Sequence, residues 1–453
     1  MRMHSTLSDD SSPSTSSPRF RSLLLLLFYV SLASVPLSVN WFSHRWHFGL
    51  MLVSEPLMVL TVGVLLLGLL GGWVTPPRRS HRLDKLIGLH FGALFVATVF
   101  SNDVVVSGKY FATLVLYVTF GYAVPRVLVL QRTEWLRALA SLGLGTALLA
   151  LYVLAVHTRF GISYSLSYIV ARPFLEHGHT NLTVLLEPLV LLLNLALLYV
   201  PQAQQLRGRI LTTALLTVVL MVVAFSYSRA SYVSLLAQAL LLLAYAGWPA
   251  GRRLLLPWAV AGVAILGSWH ALNLAYPDTS RLLNNTDLMK ELGSLGDFSS
   301  ANESNAERLN RWLYSLELYQ HDPMEGAGPG TFPDSYLEFV RSSPTHPTYY
   351  TTLRRMNSHN LYLTWLAETG TLGFLTGLLL LGYLVVRQLR WAFRWRATPV
   401  QIGFTVYFLF FLLHSLTQDF WQEPRVIVLF WLAVGLQRYY QRAPRLEPLT
   451  NPT

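Results

Sequence analysis

Residues 307–370 read ERLNRWLYSLELYQHDPMEGAGPGTFPDSYLEFVRSSPTHPTYYTTLRRMNSHNLYLTWLAETG and carry most of the polar chemistry of an otherwise apolar chain. The stretch opens on Arg308 and Trp312 at helical spacing, passes through the glycine-rich segment 326–330, and ends on the Ser-His-Asn sequence 358–360, at the start of a long apolar run. Arginines, a histidine and a glycine-rich turn at one water interface of a membrane protein predict an anionic ligand there.

The composition is that of a polytopic membrane protein. Of 453 residues, 53% are hydrophobic and 13% are charged, and the mean hydropathy is +0.42, outside the range of soluble globular domains. The chain has no cysteine, which excludes disulfides, cysteine-ligated zinc and a thiol nucleophile. The net charge of +11 does not indicate nucleic-acid binding, because most of the basic residues lie in short loops between apolar runs.

The order of apolar runs predicts an all-α fold of about twelve transmembrane helices, each long enough to cross about 30 Å of hydrocarbon. The predicted segments are a disordered cytoplasmic tail (1–21), spans one to nine (22–271), one large outer loop (272–358), spans ten to twelve (359–438) and a cytoplasmic tail (439–453). The twelve runs are 22–38, 50–73, 86–101, 109–129, 136–156, 181–200, 209–226, 231–248, 254–271, 359–385, 400–417 and 425–438.

The distribution of Lys and Arg supports this topology. With the N-terminus in the cytoplasm, the cytoplasmic segments hold 21 of the 34 basic residues and the short outer loops hold six. The other seven lie in the 272–358 loop, which is too long for the positive-inside rule to apply. Both termini are therefore expected in the cytoplasm, and the large loop outside.

Within the large loop, residues 306–320 have apolar positions at helical spacing and predict an amphipathic helix lying along the membrane surface. Pro323 is expected to end this helix, and the glycines that follow are expected to form a turn. That turn lacks the Gly-Lys-Ser/Thr ending of a nucleotide-phosphate loop. The polar segment 276–305 is expected to be partly mobile.

Two residues are the first candidates for chemistry. His359 lies where the outer loop enters span ten and can accept a proton from a hydroxyl group, although a histidine at a helix start is often only structural. Arg229 lies in a polar interruption between spans seven and eight. Its guanidinium fits phosphate oxygens, although it could equally be an interfacial arginine that extends to the headgroups.

Further candidates surround these two. Arg308 and Arg172 are expected to help bind the anion, and Arg311 lies one helical turn from Arg308. Glu368 and Asp419 are placed to orient a base or bind a sugar, or to pair with arginine for structural reasons. The pair His177 and His179 is only a weak indication of a metal site, because no third ligand accompanies it. No metal or other cofactor is expected.

Several separated motifs together resemble the O-antigen ligase superfamily over roughly residues 172–437. They are Arg308-x-x-x-Trp312, Asp322-Pro323, Gly326-x-Gly-Pro-Gly-Thr-Phe332, Ser358-His-Asn-x-Tyr-Leu-x-x-Leu-Ala-Glu-Thr-Gly370, Ser228-Arg229 and Gly178-His-Thr-Asn181. The resemblance implies a metal-independent glycosyltransferase with a GT-C-like fold in the inner membrane of a Gram-negative bacterium, with its active site in the periplasm. His359 would activate the acceptor hydroxyl, Arg229 and Arg308 would hold the diphosphate, with Arg172 as a weaker addition, and Arg311, Asn360, Glu368 and Asp419 would support the site.

The implied donor is an undecaprenyl-diphosphate-linked glycan. One long outer loop and a short C-terminal end favour lipid A–core as the acceptor, so a ligase is expected. The protein is also expected to be a monomer. Related O-antigen polymerases and protein O-oligosaccharyltransferases are the alternatives within the superfamily. A transporter of lipid-linked glycan is the alternative of another class, but a transporter is expected to place its polar groups near the membrane midplane.

Overall fold

The computed structural model describes residues 17–43, 48–75, 81–175, 178–276, 303–342, 356–392 and 398–442. The helices are α1 (Pro18–Ser34), α2 (Ser54–Leu70), α3 (Arg82–Val99), α4 (Val104–Val118), α5 (Val124–Leu128), α6 (Arg132–Phe160), α7 (Tyr164–Ser167), α8 (Gly178–Tyr199), α9 (Pro201–Gln204), α10 (Leu206–Phe225), α11 (Arg229–Ala275), α12 (Glu303–His321), α13 (Phe332–Ser342), α14 (Leu361–Ala392), α15 (Pro399–His414) and α16 (Pro424–Arg442). Strands β1 (Val39–Ser43) and β2 (Phe48–Leu52) pair antiparallel.

The mostly helical architecture confirms an all-α polytopic membrane protein. Each of the twelve predicted apolar runs lies wholly or mostly within helical structure. Among the described residues, seven helices are long and apolar enough to cross a membrane, and three more apolar helices are shorter. The number of crossings stays a prediction.

Two predicted boundaries near the N-terminus differ from the structure. The disordered tail was expected to reach residue 21, but α1 begins at Pro18, whose fixed φ suits the first turn of a helix; residues 1–16 lie outside the described residues. The second apolar run was expected to begin at residue 50, but its first residues form β2, and α2 begins only at Ser54. A short apolar run does not by itself distinguish a strand from a helix.

The 47-residue helix α11 contains two predicted spans and reverses direction at Gly247, whose φ of 69° is not helical. Both halves contact α8. In the first half, Ser231 forms a hydrogen bond with Thr183. In the second half, Arg253 donates to the carbonyl oxygen of Leu198, and Trp258 donates to the side chain of Asn194. As the second half advances from residue 253 to residue 258, its hydrogen-bond partner on α8 changes from Leu198 to Asn194, toward the N-terminus of α8. The two halves of α11 therefore run in opposite directions.

Helix α15 joins the two halves of the apolar core. Its residues Phe404, Phe408 and Phe411 belong to one core cluster, in which Phe408 and Phe411 pack on Phe430 of α16. The opposite face of the same helix places Ile402, Val406 and Phe410 in a second core cluster, and the helix contacts α8 and α11. A helix that is apolar on all sides is expected at the centre of a bundle, and α15 has that position.

The predicted loop helix is confirmed as α12, which ends at His321, just before Pro323. Its apolar stripe Leu309, Leu313 and Leu316 is exposed, as a helix lying along a membrane surface requires. The opposite face packs on α14 and α13 through buried side chains, which include Arg311, Tyr314, Ser315 and Leu318.

The glycine-rich turn docks on a break in α14. Gly326, Gly328 and Gly330 all have positive φ, and so does Gly370, where α14 is locally non-helical. The turn forms backbone hydrogen bonds across the break: Ala327 N–H to Ala367 O at 3.0 Å, Gly328 N–H to Glu368 O at 2.9 Å and Thr371 N–H to Pro323 O at 2.8 Å. These bonds fix the large loop to the membrane helices.

We expect Gly326→Ala to destabilise the protein. An added Cβ would lie 2.4 Å from the carbonyl carbon of Glu368, and φ at Gly326 is +75°, so strain and overpacking should together cost roughly 2–5 kcal/mol. Thermal unfolding of the detergent-purified protein measures the effect. Gly262→Ala is the matched control, because a Cβ there meets nothing within 4 Å. Equal melting temperatures for the two variants would contradict the docking described above.

Candidate active site

The loops that carry the predicted site residues meet at one end of the helical bundle. Hydrogen bonds between these segments join Thr158 to Tyr276, Asn181 to Glu423, Tyr110 to Trp421 and Asn102 to Ala327. The opposite end carries basic residues in ion pairs, Arg21 with Glu134 and Arg126 with Asp84. The polar backbone groups of the non-helical loops therefore lie at an end of the bundle, where water can hydrogen-bond to them.

Arg229 and Arg308 come from distant parts of the chain and lie near each other. Arg229 is the first residue of α11, and Arg308 lies in the first turns of α12. Burial lowers the pKa of Arg308, and the positive charge of Arg229 is the next largest cause. Two guanidinium groups brought together in a half-buried place repel each other unless an anion lies between them. The pair therefore fits a ligand with more than one negative charge.

Two rings line this arginine pair. Burial lowers the pKa of His179, at the start of α8, and the positive charges of Arg308 and Arg229 help to lower it. Burial raises the pKa of Tyr168, and the same two charges oppose this larger effect. The two rings stack with centroids 4.9 Å apart. The Nδ1 atom of His179 lies 2.5 Å from the carbonyl oxygen of Ser226, so the histidine is held by the segment just before Arg229. His177, the other member of the weak metal pair, lies outside the described residues.

His359 lies in a tight turn just before α14, with a positive φ of 53°. Its backbone N–H donates to Oδ1 of Asn357 at 3.2 Å. Asn360 caps α14, because its Oδ1 accepts from the N–H groups of Tyr362 and Leu363 at 3.0 and 3.1 Å. A left-handed residue directly before a capped helix projects its side chain from a rigid base.

The connection between α15 and α16 anchors this turn. Leu361 N–H donates to the carbonyl oxygen of Ser415 at 2.9 Å, and the side-chain amide of Asn360 donates to that of Leu416 at 3.1 Å. Ser358 Oγ lies 2.6 Å from Oγ1 of Thr364. The turn that carries His359 is therefore held on both sides by hydrogen bonds, of which the one between Ser358 and Thr364 is buried.

Arg311 links α12 to the His359 turn. Its side chain is buried and donates to the carbonyl oxygens of Glu307 at 3.1 Å and Asn357 at 3.4 Å. Burial lowers the pKa of Arg311 to about 10, and the neighbouring Glu307 carboxylate opposes this shift. Arg311 thus holds together the helix that carries Arg308 and the turn that carries His359.

The two supporting carboxyl groups have structural partners. Glu368 accepts hydrogen bonds from the backbone N–H groups of Gly330 at 2.8 Å and Phe332 at 3.0 Å, so it fixes the glycine-rich turn. Asp419 caps the turn at residues 420–422 through the N–H of Trp421 and interacts with the Thr364 hydroxyl. Through Thr364 and Ser358, Asp419 is connected to the turn that carries His359.

Arg172 lies in the segment between α7 and α8. Its side chain is exposed and lines a cavity of about 450 Å³ together with Tyr152, Phe160 and Ile169. The structure thus brings together Arg229 and Arg308 through direct electrostatic interaction, and links Arg311, His359, Asn360 and Asp419 through hydrogen bonds. The predicted role of Arg172 in binding the anion stays a prediction.

Residues 213–378 match the family model described as O-Antigen ligase. This part of the chain is therefore similar to O-antigen ligases. No curated protein matches the chain. The family supports an activity of the O-antigen ligase or polymerase type, which transfers a glycan, in an integral membrane protein. Lipid-linked glycan and lipid A–core are the substrates that the family implies in general.

The matched region contains Arg229, Arg308 and His359, whereas Arg172 and Asp419 lie outside it. Sequence reasoning did not identify Tyr168 as a neighbour of the arginine pair, and it considered His179 as a weak metal ligand and as part of the Gly178–Asn181 motif, without placing it beside the arginines. No spacing rule relates these residues, because they meet only after α7, α8, α11 and α12 have packed.

We expect Asp419 to make the stability of the protein depend on pH. Burial raises the pKa of Asp419 to about 6, from 3.8 when unfolded. The folded state therefore favours the protonated carboxyl group. The resulting contribution to the free energy of unfolding is fully present below about pH 3.8 and is lost as the pH rises through about 6. It amounts to about 3 kcal/mol at most.

The variant Asp419→Asn cannot ionise, so its melting temperature should change less between pH 4 and pH 7 than that of the unaltered protein. Thermal unfolding in detergent across this range measures the difference. Parallel curves for the two proteins would show that Asp419 does not titrate in this way.

Proposed function

We propose that this protein is an O-antigen ligase that transfers a glycan from undecaprenyl diphosphate to lipid A–core on the periplasmic face of the inner membrane. The convergence of Arg229 and Arg308, next to the turn that carries His359, is the observation that carries this proposal. It supplies a binding place for a diphosphate and a proton acceptor at one end of the bundle. The segment 272–358 is then periplasmic, and both termini are cytoplasmic.

In the proposed reaction, His359 accepts the proton of an acceptor sugar hydroxyl as that oxygen attacks the anomeric carbon of the donor. The new carbon–oxygen bond forms while the bond from the anomeric carbon to the diphosphate breaks. The bonding electrons leave with undecaprenyl diphosphate, whose added negative charge Arg229 and Arg308 stabilise. Attack opposite the leaving group inverts the anomeric configuration.

The other residues act as supports in this proposal. Arg311 and Asn360 fix the position of the His359 turn, Asp419 supports it through Thr364, and Glu368 holds the glycine-rich turn. Arg172 stays a weaker candidate for binding the diphosphate, as predicted from the sequence. It remains a candidate for contact with lipid headgroups or with the phosphorylated acceptor.

We expect His359→Ala to abolish transfer. Without its proton acceptor the attacking hydroxyl should lose at least about 100-fold in rate. The assay contains purified protein in detergent, undecaprenyl-diphosphate glycan, lipid A–core and EDTA, and product is followed by gel mobility and mass spectrometry. The glycosidic configuration of the product, determined by NMR, should be inverted.

The same assay separates the alternatives. Chain lengthening without lipid A–core would identify a polymerase instead, and glycan on an added protein acceptor would identify an O-oligosaccharyltransferase. Activity that EDTA removes would contradict the metal-independent mechanism. If the purified protein transfers nothing but moves lipid-linked glycan across proteoliposomes, the transporter hypothesis replaces the proposal.

We expect Arg229→Ala and Arg308→Ala each to lower kcat by roughly 100-fold or more, because each removes a cation that stabilises the leaving diphosphate. Both variants should also bind undecaprenyl diphosphate more weakly. Arg341→Ala is the matched control, since Arg341 is an exposed arginine on α13 in the same loop. Equal losses in all three variants would show that only the overall positive charge matters.

A further inference from the structure

A buried pair of ionisable side chains lies inside the bundle, beneath the candidate site. Glu187 on α8 and His414 at the end of α15 are 4% and 5% exposed. The Nε2 atom of His414 lies 3.1 Å from Oε1 and 3.2 Å from Oε2 of Glu187. Ionisable groups inside a membrane are costly to keep there and commonly serve function. The proposed chemistry does not use either of them.

On one side, the pair is attached to the helix that begins with Arg229. Oε2 of Glu187 accepts hydrogen bonds from Ser234 Oγ at 2.7 Å and from Gln238 Nε2 at 3.3 Å. Both donors are on α11, within about three turns of its first residue. Nearer the site, Ser231 donates to Thr183 Oγ1 of α8 at 2.7 Å. The start of α11 is thus fixed to α8 by buried hydrogen bonds.

On the other side, the pair is attached to the His359 turn. His414 is the last residue of α15, and the next two residues are Ser415 and Leu416. Their carbonyl oxygens accept the hydrogen bonds from Leu361 N–H and from the Asn360 side chain. A shift of His414 would therefore be passed to the segment that holds the turn.

We propose that Glu187 and His414 are a positioning pair for glycan transfer, which fixes the separation between Arg229 and His359. One carboxylate is bonded to the element that carries the diphosphate-binding arginine and to the element that anchors the base. A displacement of about 1 Å between reacting groups can cost on the order of 100-fold in rate. This inference rests on the proposed function of Arg229 and His359.

The first test compares Glu187→Ala and His414→Ala with Glu187→Gln, which keeps an oxygen acceptor for Ser234 and His414. Asn194→Ala is the matched control, because Asn194 is also buried on α8 and bonded to α11, through Trp258, but has no hydrogen bond to the anchor of the His359 turn. We expect both pair-directed alanine variants to lose about 100-fold in kcat, with little change in donor KM or in binding of undecaprenyl diphosphate. Glu187→Gln should recover most of the rate.

The second test measures position directly and does not depend on activity. Because the chain has no cysteine, spin labels at Val233→Cys and Leu363→Cys report the distance between the start of α11 and the start of α14. Glu187→Ala should broaden or shift this distance, whereas Asn194→Ala should not. If the spin-labelled protein unfolds when it carries Glu187→Ala, the distance is measured with Glu187→Gln instead. That variant should show a smaller shift.

Two results would overturn the positioning role. One is an unchanged distance and an unchanged kcat in folded Glu187→Ala protein. The other is an equal loss in Asn194→Ala, which would mean that any buried polar contact of α8 has the same effect. If the unaltered protein transfers no glycan, the proposed function fails, and the distance measurement still decides whether the pair fixes the two elements.

Discussion

Backbone polar groups cannot remain unpaired in hydrocarbon, and this constraint organises the whole molecule. The bundle satisfies it with helices, while the irregular segments that bear Arg229, His359 and the glycine-rich turn meet at one end. Chemistry that needs water, a sugar hydroxyl and a diphosphate can take place only at such an end. The proposed lipid-linked donor would suit this arrangement, because its chain could stay in the apolar region while its diphosphate reaches the arginines.

The large loop becomes part of the site because it is fastened to a membrane helix. The break of α14 at Gly370 exposes backbone groups that the glycine-rich turn pairs with, and Glu368 accepts two N–H groups of the same segment. The glycines act through close backbone approach, which a Cβ would prevent. This fastening brings α12, with Arg308 on it, next to α11. The turn is therefore a docking element of the loop.

Buried polar contacts give the apolar bundle its register near the site. Hydrophobic packing alone tolerates sliding between helices of similar side chains, whereas a hydrogen bond or an ion pair does not. The contacts of α8 with α11 through Thr183, Glu187 and Asn194 are spaced along the helix and hold both halves of α11. His414 adds α15 to the same set. Precision at the bundle end thus depends on polar groups within it.

The sequence by itself determined the membrane class, the positions of the apolar helices and the amphipathic helix α12, and it led to the prediction of His359, Arg229 and Arg308 as site residues. Hydrophobic length, helical periodicity and the cost of charge near a membrane are local properties, which a sequence displays directly. The strand pair at 39–52 escaped detection, since an apolar run of five residues looks alike in a strand and in a helix.

Only the tertiary structure decided which candidates meet. The packing of α8, α11 and α12 brings Arg229 and Arg308 together, and Arg172 lines a cavity with residues of α6 and α7. Arg311 and Glu368 hold the loop in place through hydrogen bonds to its backbone. Glu187 and His414 are in contact although they are 227 residues apart in the sequence. Such encounters depend on how helices pack against one another, and no local pattern encodes that information.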